Sequence, residues 1–144
     1  MSRELERIDI LLRIIVAAQG DAVSPVQLQK VAFLVGQECP NDVPSDYYEF
    51  VPYDYGPFCK DIYQDVEELE RRGHISISPS ALGTRKEYRA TFRSRDIEFS
   101  HMPAPVAEYI AKAVEWAKPL SFGELVSAIY QVYPAYATNS IYNG

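Results

Sequence analysis

The stretch Tyr53-Asp54-Tyr55-Gly56-Pro57-Phe58-Cys59-Lys60-Asp61-Ile62-Tyr63-Gln64-Asp65 decides the fold, together with Val66-Glu67-Glu68-Leu69 and the closing Arg72-Gly73-His74-Ile75. An extended aromatic segment runs into Gly56-Pro57, and proline, with a fixed φ and no N–H, suits the first position of a helix. Phe58, Ile62, Val66 and Leu69 then recur at helical spacing, with Asp61, Asp65 and Glu68 on the opposite side. This predicts a helix over 57–72 that buries those four apolar side chains and stops at Gly73.

Upstream, Leu5, Ile8, Leu11, Leu12, Ile15 and Val16 make one apolar stripe, which predicts a helix over 3–19 stopped by Gly20-Asp21. Ser24-Pro25 is a helix start, and Leu28, Val31, Ala32, Leu34 and Val35 predict a second helix over 25–37. Residues 40–46 read as a loop, and 47–53 as a short or edge strand because of Pro52. Downstream, Ile75-Ser76-Ile77-Ser78 and Tyr88-Arg89-Ala90-Thr91-Phe92 flank a Pro79-to-Thr84 turn and predict a β-hairpin. Two further helices follow, over 105–117 and 121–133. The second opens with a Ser121/Glu124 capping-box pattern. Helix, helix, strand, helix, hairpin is the order of a winged helix-turn-helix. The expected fold is therefore α+β: a winged-helix-like core of three helices and a short antiparallel sheet, with additional C-terminal helices, as a single domain over 1–144.

Composition narrows the function. No apolar run approaches the ~20 residues of a membrane span, and Met1-Ser2-Arg3-Glu4-Leu5-Glu6-Arg7 has no signal-peptide pattern, so the expected location is the cytoplasm. Cys39 and Cys59, with His74 and His101, lack the ligand spacing of a zinc site; a disulfide is possible on paper, but buried thiols fit a cytoplasmic chain better. The net charge of -6 weighs against non-specific nucleic-acid binding. No phosphate-cradling glycine motif is present, and no cofactor or metal is expected.

Three constellations remain. Arg85, Lys86, Arg89, Arg93 and Arg95 make the hairpin region basic, a grip for DNA or a set of partners for the chain's own acids. The helix in the recognition position carries Asp61, Asp65, Glu67, Glu68 and Glu70, which phosphates would repel, so DNA binding is not expected. Cys59, read in the first turn of that helix, could be a nucleophile only with a base in reach; a half-buried thiol is the simpler reading, and the chain is not expected to be an enzyme. The dense aromatic run holds Tyr47, Tyr48, Tyr53 and Tyr55. Most of these rings could pack against the first two helices. Exposed, they would form a protein-binding surface flanked by Asp61, Asp65 and Glu68, acids suited to steering a basic partner. Lys30 could snorkel to solvent or reach a carboxylate such as Asp54.

Leu28-Gln29-Lys30, the aromatic-Gly56-Pro57 turn leading to a helix with spaced acids, the Leu69 to Gly73-His74-Ile75 end, Tyr133-Pro134 and Asn139-Ser140 together resemble the SocA-like antitoxin domain family, also called Panacea, over residues 8–142. The chain departs from the family's commoner pattern at Val31-Ala32-Phe33 and in its short tail. The resemblance implies a bacterial or phage antitoxin that neutralises a cognate toxin by direct protein contact, with a homodimer possible. The competing expectation is a winged-helix transcriptional regulator with residues 85–95 on DNA.

Overall fold

The computed structural model describes residues 4–83 and 85–141. The predicted helix start at residue 3, Thr84 of the hairpin turn and the last three residues of the tail lie outside them. Five helices and two small antiparallel sheets follow one another: α1 (Arg7–Ala17), α2 (Pro25–Glu38), β1 (Val51–Tyr53), β2 (Gly56–Phe58), α3 (Asp61–Arg71), β3 (Ile75–Pro79), β4 (Lys86–Ala90), α4 (Ala104–Ala117) and α5 (Phe122–Val132). Single 3-10 turns at Phe92–Ser94 and Pro134–Ala137 complete the order. The class is α+β, as expected.

Side chains satisfy free backbone groups at the starts of α2 and α5. Ser24 and Ser121 each accept from the backbone N–H three residues on, while Gln27 and Glu124 reach back to the cap N–H. Each pair satisfies two amides that the helix leaves unbonded. Helix α3 ends in a Schellman arrangement: Gly73, at φ +78°, lets His74 N–H reach the Leu69 carbonyl and its own N–H reach Glu70.

The core is one large cluster with a small aromatic satellite. Ile10, Leu11, Ile14 and Ile15 of α1 pack with Leu28 and Val31 of α2, Ile62, Val66 and Leu69 of α3, and Val106 and Ile110 of α4. Strands β3 and β4 pair from Ile75↔Ala90 to Pro79↔Lys86. Val23, between α1 and α2, bridges Tyr88 on the other edge of β4 with hydrogen bonds of 2.8 and 2.9 Å. Phe33, fully buried, stands apart with Phe50, Tyr133 and Tyr136, whose rings meet it edge-on at 4.7–5.4 Å.

Two expectations are overturned. The strand expected over 47–53 is confined to Val51–Tyr53. Gly56-Pro57 does not open a helix; it is strand β2, folded back on β1 through Asp54-Tyr55. The reason lies in the pairing Pro52↔Pro57. Antiparallel partners alternate between positions that exchange hydrogen bonds and positions that do not. Two prolines, neither with an N–H, are suited to face each other at the second kind. Gly56 supplies the positive φ, +99°, that a tight turn requires. Helix α3 therefore starts at Asp61, and Phe58 is a half-buried strand residue, not part of the helix face. The other three predicted face residues, Ile62, Val66 and Leu69, are buried.

Candidate functional site: a hairpin held from two sides

At a pair that exchanges no hydrogen bonds, both carbonyls point away from the partner strand. The structure supplies a partner for each. The Lys30 ammonium donates to the Pro57 carbonyl at 3.0 Å, and the Asn139 side-chain amide donates to the Pro52 carbonyl at 3.3 Å. Just beyond β2, Gln29 acts as a surrogate strand. Its side-chain amide donates to the Cys59 carbonyl and accepts from the Cys59 N–H, both at 2.9 Å. On the turn side, the Asp54 carbonyl accepts from Ile141 N–H at 2.9 Å and from the Ser140 hydroxyl at 3.2 Å. The Tyr130 hydroxyl donates to Ser140 in turn. Helix α2 thus grips the hairpin from beneath and the tail from outside.

Lys30 neither snorkels to solvent nor meets Asp54. It is 4% exposed, and burial brings its pKa down to about 8. The missing side chain at residue 56 makes room for the Tyr130 ring, which a Cβ there would meet at 3.1 Å.

The hairpin's outer surface is aromatic. Tyr53, Tyr55 and Tyr63 are each 41–51% exposed, and Val51 and Ile141 are more exposed still. Tyr53 stacks on Phe58 at 4.9 Å, Phe58 leans on Tyr63 at 5.8 Å, and Tyr55 meets Phe122 edge-on at 5.1 Å. Between hairpin, α2 and α3 lies a cleft of about 190 Å3, lined by Pro25, Val26, Gln29, Lys30, Tyr53, Asp54, Tyr55, Gly56, Phe58 and Tyr63.

The four tyrosines expected together therefore separate. Tyr53 and Tyr55 are exposed; Tyr48 is core and Tyr47 half-buried. Tyr47 donates its hydroxyl to the Ala32 carbonyl at 2.6 Å and lies against Gly36, where a Cβ would come within 2.9 Å of the ring. Tyr48 donates to Asp65 at 2.6 Å, with the Arg7 guanidinium 4.8 Å over its ring. Burial pushes both phenol pKa values well up. These two rings fasten the 40–50 segment to the helices and are not part of an exposed surface.

The flanking acids are engaged within the chain. Asp65 meets Arg7 Nε at 3.1 Å, and Asp61 lies 3.8 Å from Arg7 Nη1. Glu68 takes both Arg71 and Arg72, whose hydrogen bonds hold its carboxyl below the usual range. On the far side, Arg85, Lys86, Arg93 and Arg95 are exposed; Arg89 pairs with Glu87 at 2.9 Å, and the Arg95 guanidinium lies against Gly20. Both cysteines are free and buried, and Cys59 precedes α3 by two residues instead of sitting in its first turn. No group of three or more His, Cys, Asp or Glu that could hold a metal occurs among the described residues. Among those residues, too, no helix is long and apolar enough to cross a membrane.

Sequence reasoning missed Tyr63, Ile141 and the double role of Gln29. The Leu28-Gln29-Lys30 and Asn139-Ser140 motifs were the signal, since polar residues of those types are what two outward-facing rows of backbone groups require. Comparisons with protein-family models, with curated proteins and with solved structures gave no match.

Proposed function

We propose that this chain is a non-catalytic, cytoplasmic protein-interaction domain of antitoxin type, similar to the SocA-like (Panacea) domains, which neutralises a cognate toxin by direct contact. The observation that carries this reading is convergence. Gln29-Lys30, Gly56-Pro57 and Asn139-Ser140, far apart in sequence, meet at one hairpin. Motifs that hold one element and leave its aromatic face in solvent fit a docking surface. Tyrosine gives large contact area with little entropy to lose. The engaged state of Asp61, Asp65 and Glu68 shifts the expected centre from those acids to Tyr53, Tyr55 and Tyr63.

The test is co-expression with the product of the neighbouring gene. Growth rescue and co-purification are expected from the parent chain. A Tyr53→Ala/Tyr55→Ala chain with an unchanged melt should lose at least tenfold in affinity. Capture as tight as the parent's places the surface elsewhere.

A winged-helix reading of the core has one observation in its favour: the single-residue Val23–Tyr88 bridge lies along the free edge of the β3–β4 hairpin, beside three helices. In the DNA-binding version of that reading Arg85, Lys86, Arg93 and Arg95 would grip phosphates. Exposed Glu67 and Glu70 on α3 oppose it. Anisotropy titration of a duplex at ~150 mM salt should show no sub-micromolar binding. Tight binding with a steep salt slope would favour the regulator instead.

A further inference from the structure

Lys30 is a buried cation with an incomplete set of partners. Its ammonium offers three donors, and among the described residues one is used, on the Pro57 carbonyl. No carboxylate of those residues lies within 4 Å of it. Buried charges are ordinarily paired. Lys30 also lines the cleft beneath the hairpin, whose other walls include Val26, Tyr53, Tyr55, Phe58 and Tyr63. A small space with aromatic and aliphatic walls and one cation asks for an apolar group that carries a single negative charge.

We propose that this cleft takes the C-terminal carboxylate of a partner protein whose last side chain is apolar, the carboxylate meeting Lys30 Nζ and the side chain lying among the ring walls. The inference rests on the interaction reading above and names the feature the partner must present. A chain terminus brings charge and apolar surface together in one residue. An internal Asp or Glu side chain brings the carboxylate with little else, and a phosphate brings more charge than one ammonium balances, with nothing for the rings. Asp54 shares the lining and opposes an incoming anion, so its charge sets how weakly a small probe binds.

The experiment uses the full chain, isotope-labelled for amide NMR, titrated with 3-phenylpropionate and, separately, with 3-phenylpropionamide. The acid should shift the amides of Lys30, Tyr53, Asp54, Tyr55, Gly56 and Phe58 with a Kd of about 1–10 mM, within reach of so small a ligand. The amide should bind about tenfold more weakly. Asp54→Asn should tighten the acid, and Lys30→Met should erase the difference between the two probes. Equal binding of acid and amide, no shift at about 20 mM acid, or a difference that survives in Lys30→Met overturns the proposal. The acid–amide comparison on the parent decides the matter even if a variant fails to fold. A partner captured by the parent despite such a result keeps the interaction reading and removes the cleft from it.

Discussion

The side chain of Gln29 and the backbone of Cys59 bond to each other as two strand residues would, donor to acceptor in both directions at 2.9 Å, across thirty positions of sequence. A helix thereby supplies the ladder partner that a two-stranded hairpin lacks beyond its last pair. Gln29 is 3% exposed and Cys59 5%, so no water replaces either bond without rearrangement. Gln29→Leu should therefore strand a buried N–H and a buried carbonyl, at ~1–3 kcal/mol each. Urea unfolding should show a loss of roughly 2–6 kcal/mol; an unmoved midpoint would mean the clamp is dispensable.

Lys30 gives stability an unusual slope with pH. Its pKa falls from 10.5 to about 8 on burial. Between those values the unfolded chain holds the proton that the folded chain has released, so stability rises with pH. The gain should approach about 3 kcal/mol from pH 7.5 to 10.5. Comparing the parent with Lys30→Met at each pH isolates this slope from the buried tyrosines, which act oppositely above pH 10. A constant difference would mean that Lys30 titrates normally.

Leu69 and Phe58 were expected on one helix face, and the structure separates them. Leu69 is 1% exposed in the core, whereas Phe58 is half-buried in β2. Leu69→Ala should destabilise by roughly 2–5 kcal/mol through lost transfer energy and a residual cavity. Phe58→Ala should cost less than that and act mainly on the cleft. Thermal melts of the two variants in the reverse order would restore the helical register.

Tyr48 and Tyr53 provide the contrast between holding the fold and presenting a surface. Tyr48→Phe removes a hydroxyl hydrogen bond to the Asp65 side chain that Arg7 also meets, and should lower stability by ~1.5–3 kcal/mol. Partner capture, measured as an affinity, should stay unchanged. Tyr53→Ala should do the opposite, with little change in the melt and a clear loss of affinity.

Much of the fold was legible in the sequence because its signals are local. The apolar stripe of α1, the Ser24-Pro25 and Ser121/Glu124 caps, the Gly73 stop and the β3–β4 alternation each depend on a few neighbouring residues. Pro57 was misread because proline fits a helix start and a non-bonded strand position equally well, and only its partner Pro52 decides between them. The separation of Tyr47 and Tyr48 from Tyr53 and Tyr55 was likewise beyond local reading. It turns on Asp65, Arg7 and the Ala32 carbonyl, groups on other elements. For the same reason Asp61, Asp65 and Glu68 looked free in a helical projection and are not.

The tail's grip on the hairpin also has a timetable. Pro52 and Asp54 leave the ribosome 87 and 86 residues ahead of Asn139 and Ser140, whose side chains cap their carbonyls. At 5–20 residues per second, that is a wait of roughly 4–17 s. During it, the nascent chain can fold α1 to α4, yet the aromatic hairpin stands with its outer edge unclasped. The carbonyls of Pro52 and Asp54 are thus capped only after that interval, by side chains synthesised 87 and 86 positions later.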